Sequence, residues 1–187
     1  MSRWEPNARG RLEQAALELY SERGFEQTTV AEIASRAGLT ERTFFRHFTD
    51  KREVLFWGAG ALQELIVHTV ASAPDGTSPM DAVVAALEAV ATGVFQDRRA
   101  KSRQRQQIIA ADAGLREREL IKLALLASAL ADALRRRGVA EPTASLTAET
   151  GIIVFKTAYG RWIEGEQDMK HLLRESMDDL RAVTSRA

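Results

Sequence analysis

Residues 28–51 read TTVAEIASRAGLTERTFFRHFTDK, and two short helices joined by a glycine turn can be read off them residue by residue. Thr29 followed by Glu32 makes a capping box, in which hydroxyl and carboxylate each satisfy a backbone N–H that has no intrahelical partner. Val30, Ile33, Ala34 and Ala37 then recur at helical spacing, and Gly38 supplies a residue that can take a positive φ and stop the helix. Thr40 caps a second helix after a turn of only Gly38 and Leu39, and so short a connection makes the two helices cross steeply. On that second helix Phe44 and Phe48 share the face that should be buried, which leaves Glu41, Arg42, Thr43, Phe45, Arg46 and His47 nearer solvent. Such a face can enter a major groove.

Asp50 and Glu53 read as a further cap-and-box pair, so a third helix is expected with Lys51 as its first residue. A lysine there opposes the helix dipole at a cost of a few tenths of a kcal/mol, roughly, which a phosphate partner would explain; a solvated surface lysine is the plainer alternative.

The run from Gly24 to Lys51, GFEQTTVAEIASRAGLTERTFFRHFTDK, resembles the head of TetR/AcrR-family transcriptional regulators at nearly every position, and the match extends back to about Arg9. The resemblance implies an all-α chain of about nine helices. It implies a three-helix DNA-binding domain over residues 1–50, a ligand-binding and dimerisation body over 51–187, and repression that a small molecule relieves. Thr29, Thr40, Phe45, His47 and Lys51 match family positions that meet phosphate and sugar, and Phe45 departs from the tyrosine often found there. Arg42 and Thr43 are the candidates for base-edge contacts, arginine being suited to guanine O6 and N7.

Bulk charge argues weakly against this reading, and only the placement of charges can rescue it. The chain carries 26 basic and 26 acidic residues, so affinity for nucleic acid has to come from placement rather than bulk charge. Residues 1–55 are also balanced, which leaves open a dimeric ligand-binding or scaffolding module that does not read DNA. Within them Arg42, Arg46, His47 and Lys51 gather on one segment while Glu13, Glu18 and Glu22 fall on another. Residues 1–6 are expected to form an N-terminal arm from which Arg3 and Arg9 can reach phosphate or the minor groove, a disordered tail being the equal alternative. With no cysteine there is no disulfide framework or thiolate metal site, and residues 1–14 lack an apolar signal core, so the expected location is the cytoplasm.

The rest of the chain reads as helices. Leu12, Ala15, Ala16, Leu19 and Tyr20 mark one from Asn7 to Arg23, and a helix linking head to body should run from Lys51 to about Ser72. Ser78-Pro79-Met80-Asp81 opens the next with a serine cap and proline in the first turn. Arg98, Arg99, Lys101, Arg103 and Arg105, with no acid between them, suggest a solvated helix face or a seat for an anionic ligand group. Residues 108–138 end one helix at Asp112 to Gly114 and build a long alanine-leucine second one, and this segment resembles the C-terminal domain of mycofactocin-regulator-type TetR proteins, which implies an acyl-CoA-like effector. Ala144 to Glu164 is apolar nearly all round and needs two partners: the body core and the same helix of a second copy, with Gly151 and Gly160 allowing close approach. Asp168 to Ala182 forms the last helix, with Met169, Leu172, Leu173, Met177, Leu180 and Val183 on one stripe.

A hydrophobic effector cavity is expected among Trp57, Leu62, Phe95, Ile109, Leu126, Leu130, Phe155, Tyr159 and Trp162. Enzyme chemistry has no foothold in the sequence. His47, His68 and His171 lie far apart without metal-ligand spacing, and neither a nucleophile elbow nor a phosphate loop occurs. His68, among apolar residues, reads as a core or interface histidine. No catalytic residue, metal site or cofactor is expected, and the expected partners are an inverted-repeat DNA operator, a small effector and a second copy of the chain, with no membrane.

Overall fold

The computed structural model describes residues 7–184, and all regular structure among them is helical. The order is α1 (Ala8–Arg23), α2 (Val30–Arg36), α3 (Glu41–His47), α4 (Glu53–Phe56), α5 (Ala59–Ala71), α6 (Pro79–Gly93), α7 (Arg99–Ala111), α8 (Ala113–Arg136), α9 (Thr143–Glu164) and α10 (Met169–Thr184). Trp57 and Gly58 alone separate α4 from α5, so the linking helix expected from Lys51 is interrupted there and begins at Glu53. Arg3 lies outside the described residues.

The chain divides into two compact units. The first comprises residues up to Gly58 together with Gln104–Glu119. Its core joins Leu12, Leu17 and Leu19 of α1, Ile33 of α2, Phe44 of α3 and Val54, Leu55 and Phe56 of α4 to Ile108, Ile109 and Leu115. Helices α1 to α3 fix the head, and the end of α7 with the start of α8 completes its apolar core. Polar ties run the same way: Arg105 Nη1 meets Glu119 Oε1 at 3.0 Å, and Arg118 Nε donates to Glu53 Oε1 at 2.8 Å.

The second unit comprises Ala59–Arg103 and the residues from Leu120 onward. Ile66 and Val70 of α5, Val83, Leu87 and Val90 of α6, Leu126, Leu130 and Leu134 of α8, Ile152, Phe155 and Trp162 of α9 and the α10 stripe share one core. Gly151 is where α9 comes closest to α6: a Cβ there would stand 2.5 Å from Val83 Cγ1. The close approach it permits is therefore inside this chain, whereas nothing lies within 4 Å of a Cβ at Gly160. Val183, expected on the α10 stripe, is 84% exposed, because the core ends before the last turn of that helix. His68 is exposed on α5 rather than in a core. Residues 53–71 are long and apolar enough to cross a membrane; 28% of that window is buried, Val54, Leu55, Phe56, Ile66 and Val70 lying in the two cores.

Arginines close the C-termini of four helices, where the last carbonyls have no intrahelical donor and the dipole is negative. Arg11 donates to Ala37 O after α2, Arg105 Nε to Leu55 O in α4 at 2.6 Å, and Arg137 Nη1 to Ala73 O after α5 at 2.6 Å. On α9, Arg103 takes Ile163 O, while Arg99 takes Gly165 O at 3.1 Å and also Gln167 O. The basic run from Arg98 to Arg105 is thus not the solvated face expected of it, since three of its arginines are turned onto backbone carbonyls.

Candidate nucleic-acid interface

The local chemistry of residues 28–51 sets the pose of α3. Thr29 and Glu32 close the capping box, with Thr29 N donating to Glu32 Oε2 at 2.9 Å and Glu32 N to Thr29 Oγ1 at 3.3 Å. At the other end of α2, Gly38 adopts φ +66°, Leu39 N donates to Ala34 O at 2.8 Å and Gly38 N to Ser35 O at 2.9 Å, the paired bonds of a Schellman turn. Glycine is favoured there by its positive φ; a Cβ at Gly38 would stand 2.7 Å from Arg11 Nη2, the tip of a flexible side chain that can shift. Thr40 then caps α3, accepting from Thr43 N at 3.2 Å.

Phe44 is fully buried and Phe48 nearly so, their rings 5.4 Å apart, and they hold α3 against the first core. Glu41, Arg42, Phe45 and Arg46 consequently face solvent, Phe45 at 55% exposure. Neither Arg42 nor Arg46 makes a hydrogen bond or ion pair among the described residues. Two of the acids of this segment are engaged elsewhere, Glu22 with Arg36 at 2.9 Å and Glu32 with Arg23 at 2.6 Å, while Glu41 stays exposed at the start of α3.

The expected contact residues differ in what they have left to offer. The hydroxyls of Thr29 and Thr40 are engaged in capping, and Thr40 Oγ1 lies 3.1 Å from Thr43 Oγ1. His47 closes α3 with Nε2 buried and without a hydrogen-bond partner. Burial first, then the positive charges of Arg46 and Arg9, hold its imidazole below the ordinary histidine range.

Lys51 differs most from expectation. It precedes α4 rather than starting it: Asp50 Oδ1 accepts from Arg52 N at 2.8 Å and Glu53 N at 3.0 Å, and Glu53 turns to Arg118 instead of completing a box. The Lys51 ammonium donates to Phe25 O at 2.9 Å, Thr28 O at 3.0 Å and Glu26 O at 3.2 Å, and stands 4.4 Å from the centre of the Phe25 ring. The Tyr20 hydroxyl, whose proton burial makes harder to remove, donates to Lys51 O at 2.6 Å. All three ammonium donors therefore tie the α1–α2 loop in place.

The nine residues expected to line one effector cavity fall into two cores. Ile109 is fully buried in the first, with Trp57 packed against it, and the Arg9 guanidinium lies 5.4 Å from the Trp57 ring centre. Leu62, Phe95, Leu126, Leu130, Phe155, Tyr159 and Trp162 belong to the second. There Phe95, Phe155, Tyr159 and Trp162 form a cluster with ring centres 5.5 to 5.9 Å apart, and Arg99 sits 5.4 Å from the Trp162 ring. Nothing in the sequence distinguished Trp57 from these rings, since its spacing is equally helical.

A capped helix, a Schellman turn and a second capped helix with an outward cationic face define a helix-turn-helix head. Residues 13–56 match the model of bacterial regulatory proteins of the tetR family, and residues 77–185, more than half of the chain, match the MftR C-terminal domain. The chain belongs to the TetR family of transcriptional regulators. Over 82 residues it is 39% identical to the HTH-type transcriptional regulator TcmR of Streptomyces glaucescens, an alignment that takes in 44% of this chain and only 36% of TcmR. Its fold is that of Thermus thermophilus FadR, a TetR-family repressor solved with lauroyl-CoA, at 22% identity and TM-score 0.54 over 96% of both chains. It is likewise that of SmeT, solved with triclosan, at 21% identity and TM-score 0.64 over 94% of this chain and 90% of SmeT.

Proposed function

We propose that this protein is a homodimeric, sequence-specific DNA-binding repressor, released from an inverted-repeat operator by an apolar or acyl-type ligand. The observation that carries the reading is the outward face of α3, where Arg42 and Arg46 have no partner among the described residues while Phe44 and Phe48 fix the helix from behind. Arg42 and Thr43 read base edges, each good bidentate arginine pair discriminating by roughly 1 to 3 kcal/mol. Phe45 gives apolar contact to the backbone. Residues 1–50 act as the head and 51–187 as the effector and dimerisation body, working in the cytoplasm where the operator lies, with no catalytic step.

Two features support the other partners. Leu146 and Ile153, seven residues apart on α9, are 64% and 56% exposed, and Leu120, Ile121 and Leu125 of α8 are exposed by half or more; a second copy would cover such apolar surface. The four-ring cluster with Leu126, Leu130 and Leu62 supplies an apolar lining for the effector, in keeping with the lauroyl-CoA and triclosan held by the two structural relatives. The test is selection of bound duplexes from a random pool at about 0.15 M salt. Enrichment of an inverted repeat, with lauroyl-CoA weakening the complex and coenzyme A alone not doing so, is the expected result. No enrichment by folded, dimeric protein would assign the chain to ligand-binding or scaffolding modules instead.

A further inference from the structure

We propose that the first unit carries a ligand site of its own, a cavity of about 230 Å³ between the α1–α2 connection and the end of α7, and that its guest is a small organic cation built of one ring and a short ammonium arm. The site needs neither the DNA-binding nor the effector reading.

One wall is set by backbone chemistry. Gly24, at φ +86°, ends α1 and turns the chain into Phe25, Glu26 and Gln27. The Lys51 ammonium holds this turn by the carbonyls of Phe25, Glu26 and Thr28, and the Thr28 hydroxyl donates to Gly24 O at 2.9 Å. A wall already fixed loses little freedom when a ligand arrives. Across from it stand Ile108, Ala111 and Asp112, where α7 gives way to α8.

The cavity has an apolar floor and a polar rim. Tyr20, Phe25 and Ile108 are buried, and the Tyr20 and Phe25 rings meet edge to face with centres 5.2 Å apart. Arg23, Glu26 and Gln27 are exposed and Asp112 is half-buried. A concave apolar surface with a few polar groups at its mouth is the usual make-up of a small-molecule site. An apolar cavity of about 150 Å³ holds benzene, so this one has room for a ring and about three further heavy atoms.

What the rim leaves without a partner sets the charge of the guest. Arg23 is turned to Glu32 at 2.6 Å, and Lys51, though 4.4 Å from the Phe25 ring centre, has its donors on backbone carbonyls. The Glu26 carboxylate has no partner among the described residues. Asp112 accepts from Leu115 N at 2.8 Å through Oδ1 and has Oδ2 left over. Both α1 and α7 end at this cavity, which adds the negative ends of two helix dipoles, and the last turn of α7 holds no basic residue to offset its own. Two carboxylates and two helix C-termini favour a cation, and the apolar floor favours one that carries a ring.

The test uses the full chain and three probes of one size: 2-phenylethylammonium, 2-phenylethanol and 3-phenylpropanoate. Each is titrated into isotope-labelled protein at about pH 7, where the amine is charged, and followed by backbone amide NMR shifts. The ammonium should shift the amides of residues 24–27 and 111–115 and bind about three- to tenfold tighter than the alcohol, with the carboxylate weakest. Glu26→Gln and Asp112→Asn should each weaken the ammonium by about two- to fivefold and leave the alcohol unchanged; asparagine keeps the acceptor for Leu115 N, so the start of α8 stays capped. Three results would overturn the proposal: equal affinity for ammonium and alcohol, shifts confined to the aromatic cluster of the second unit, or no shift with any probe at about 10 mM, where millimolar binding is near saturation. None of them bears on duplex capture, so the DNA-binding reading stands or falls separately.

Discussion

Replacing Lys51 by methionine separates a structural lysine from a phosphate-binding one. The substitution keeps most of the aliphatic chain but removes the ammonium that donates to Phe25 O, Glu26 O and Thr28 O at 2.9 to 3.2 Å. Hydrogen bonds from a charged group contribute about 1.5 to 3 kcal/mol each where buried, but here the ammonium is only half-buried and Glu26 O can be rehydrated. The carbonyls of Phe25 and Thr28 are partly buried and would lose their donor, and the contact with the Phe25 ring adds about 0.5 to 1 kcal/mol. Discounted for solvent, the sum is a loss of roughly 2 to 3 kcal/mol from the first unit. In a chain of this length that corresponds to a midpoint lower by about 5 to 10 °C. Thermal and urea unfolding of wild type, Lys51→Met and Lys51→Arg would measure it, with arginine restoring part of the loss. If Lys51→Met unfolds within about 0.5 kcal/mol of wild type yet binds duplex weakly, the lysine serves phosphate and the structural account is refuted.

Further outcomes follow from other contacts. Gly151→Ala should destabilise by about 1 to 3 kcal/mol in urea unfolding, because its Cβ meets Val83 Cγ1 at 2.5 Å, whereas Gly160→Ala should gain up to about 1 kcal/mol of helix propensity in open space. The double variant Arg99→Ala and Arg103→Ala strips the donors from the end of α9, so amide exchange should accelerate in residues 163–167 before it does elsewhere in the second unit. Glu88 joins α6 to α10 through Arg174 at 2.6 Å and Lys170 at 3.1 Å; burial raises its pKa, yet these hydrogen bonds and charges outweigh burial and leave it below the ordinary glutamate value of 4.5. The folded state thus resists protonation, so this stabilisation is present above that value and is lost as pH falls through and below it. Acid unfolding monitored by circular dichroism should show wild type losing more stability than Glu88→Gln between pH 6 and 3.

What was legible in the sequence was whatever local chemistry decides. Thr29, Gly38 and Thr40 act on their own neighbours within a few residues, so the two helices of the head and the turn between them could be placed from spacing alone, as could the Ser78 cap of α6. The same holds for Phe44 and Phe48, whose spacing fixes a buried face. Long-range partners were not legible. Lys51 finds its acceptors 23 to 26 residues away, and Arg99 and Arg103 find theirs 60 to 68 residues away, so a basic run that looks solvated in sequence proves to be a set of helix caps. Ile108, Ile109 and Leu115 likewise carry no signal that they join the first core rather than the second. Gly151 announced a close approach but not the partner, which is Val83 of the same chain.

The measurement that bears most directly on the central claim is the base preference of duplexes captured from a random pool by wild type and by Arg42→Ala. If the outward face of α3 reads DNA, wild type enriches two symmetric half-sites about 34 to 36 Å apart, and Arg42→Ala loses preference at one position of each half-site while keeping the rest. Identical base preferences for the two proteins would contradict the account of α3 as the reading element.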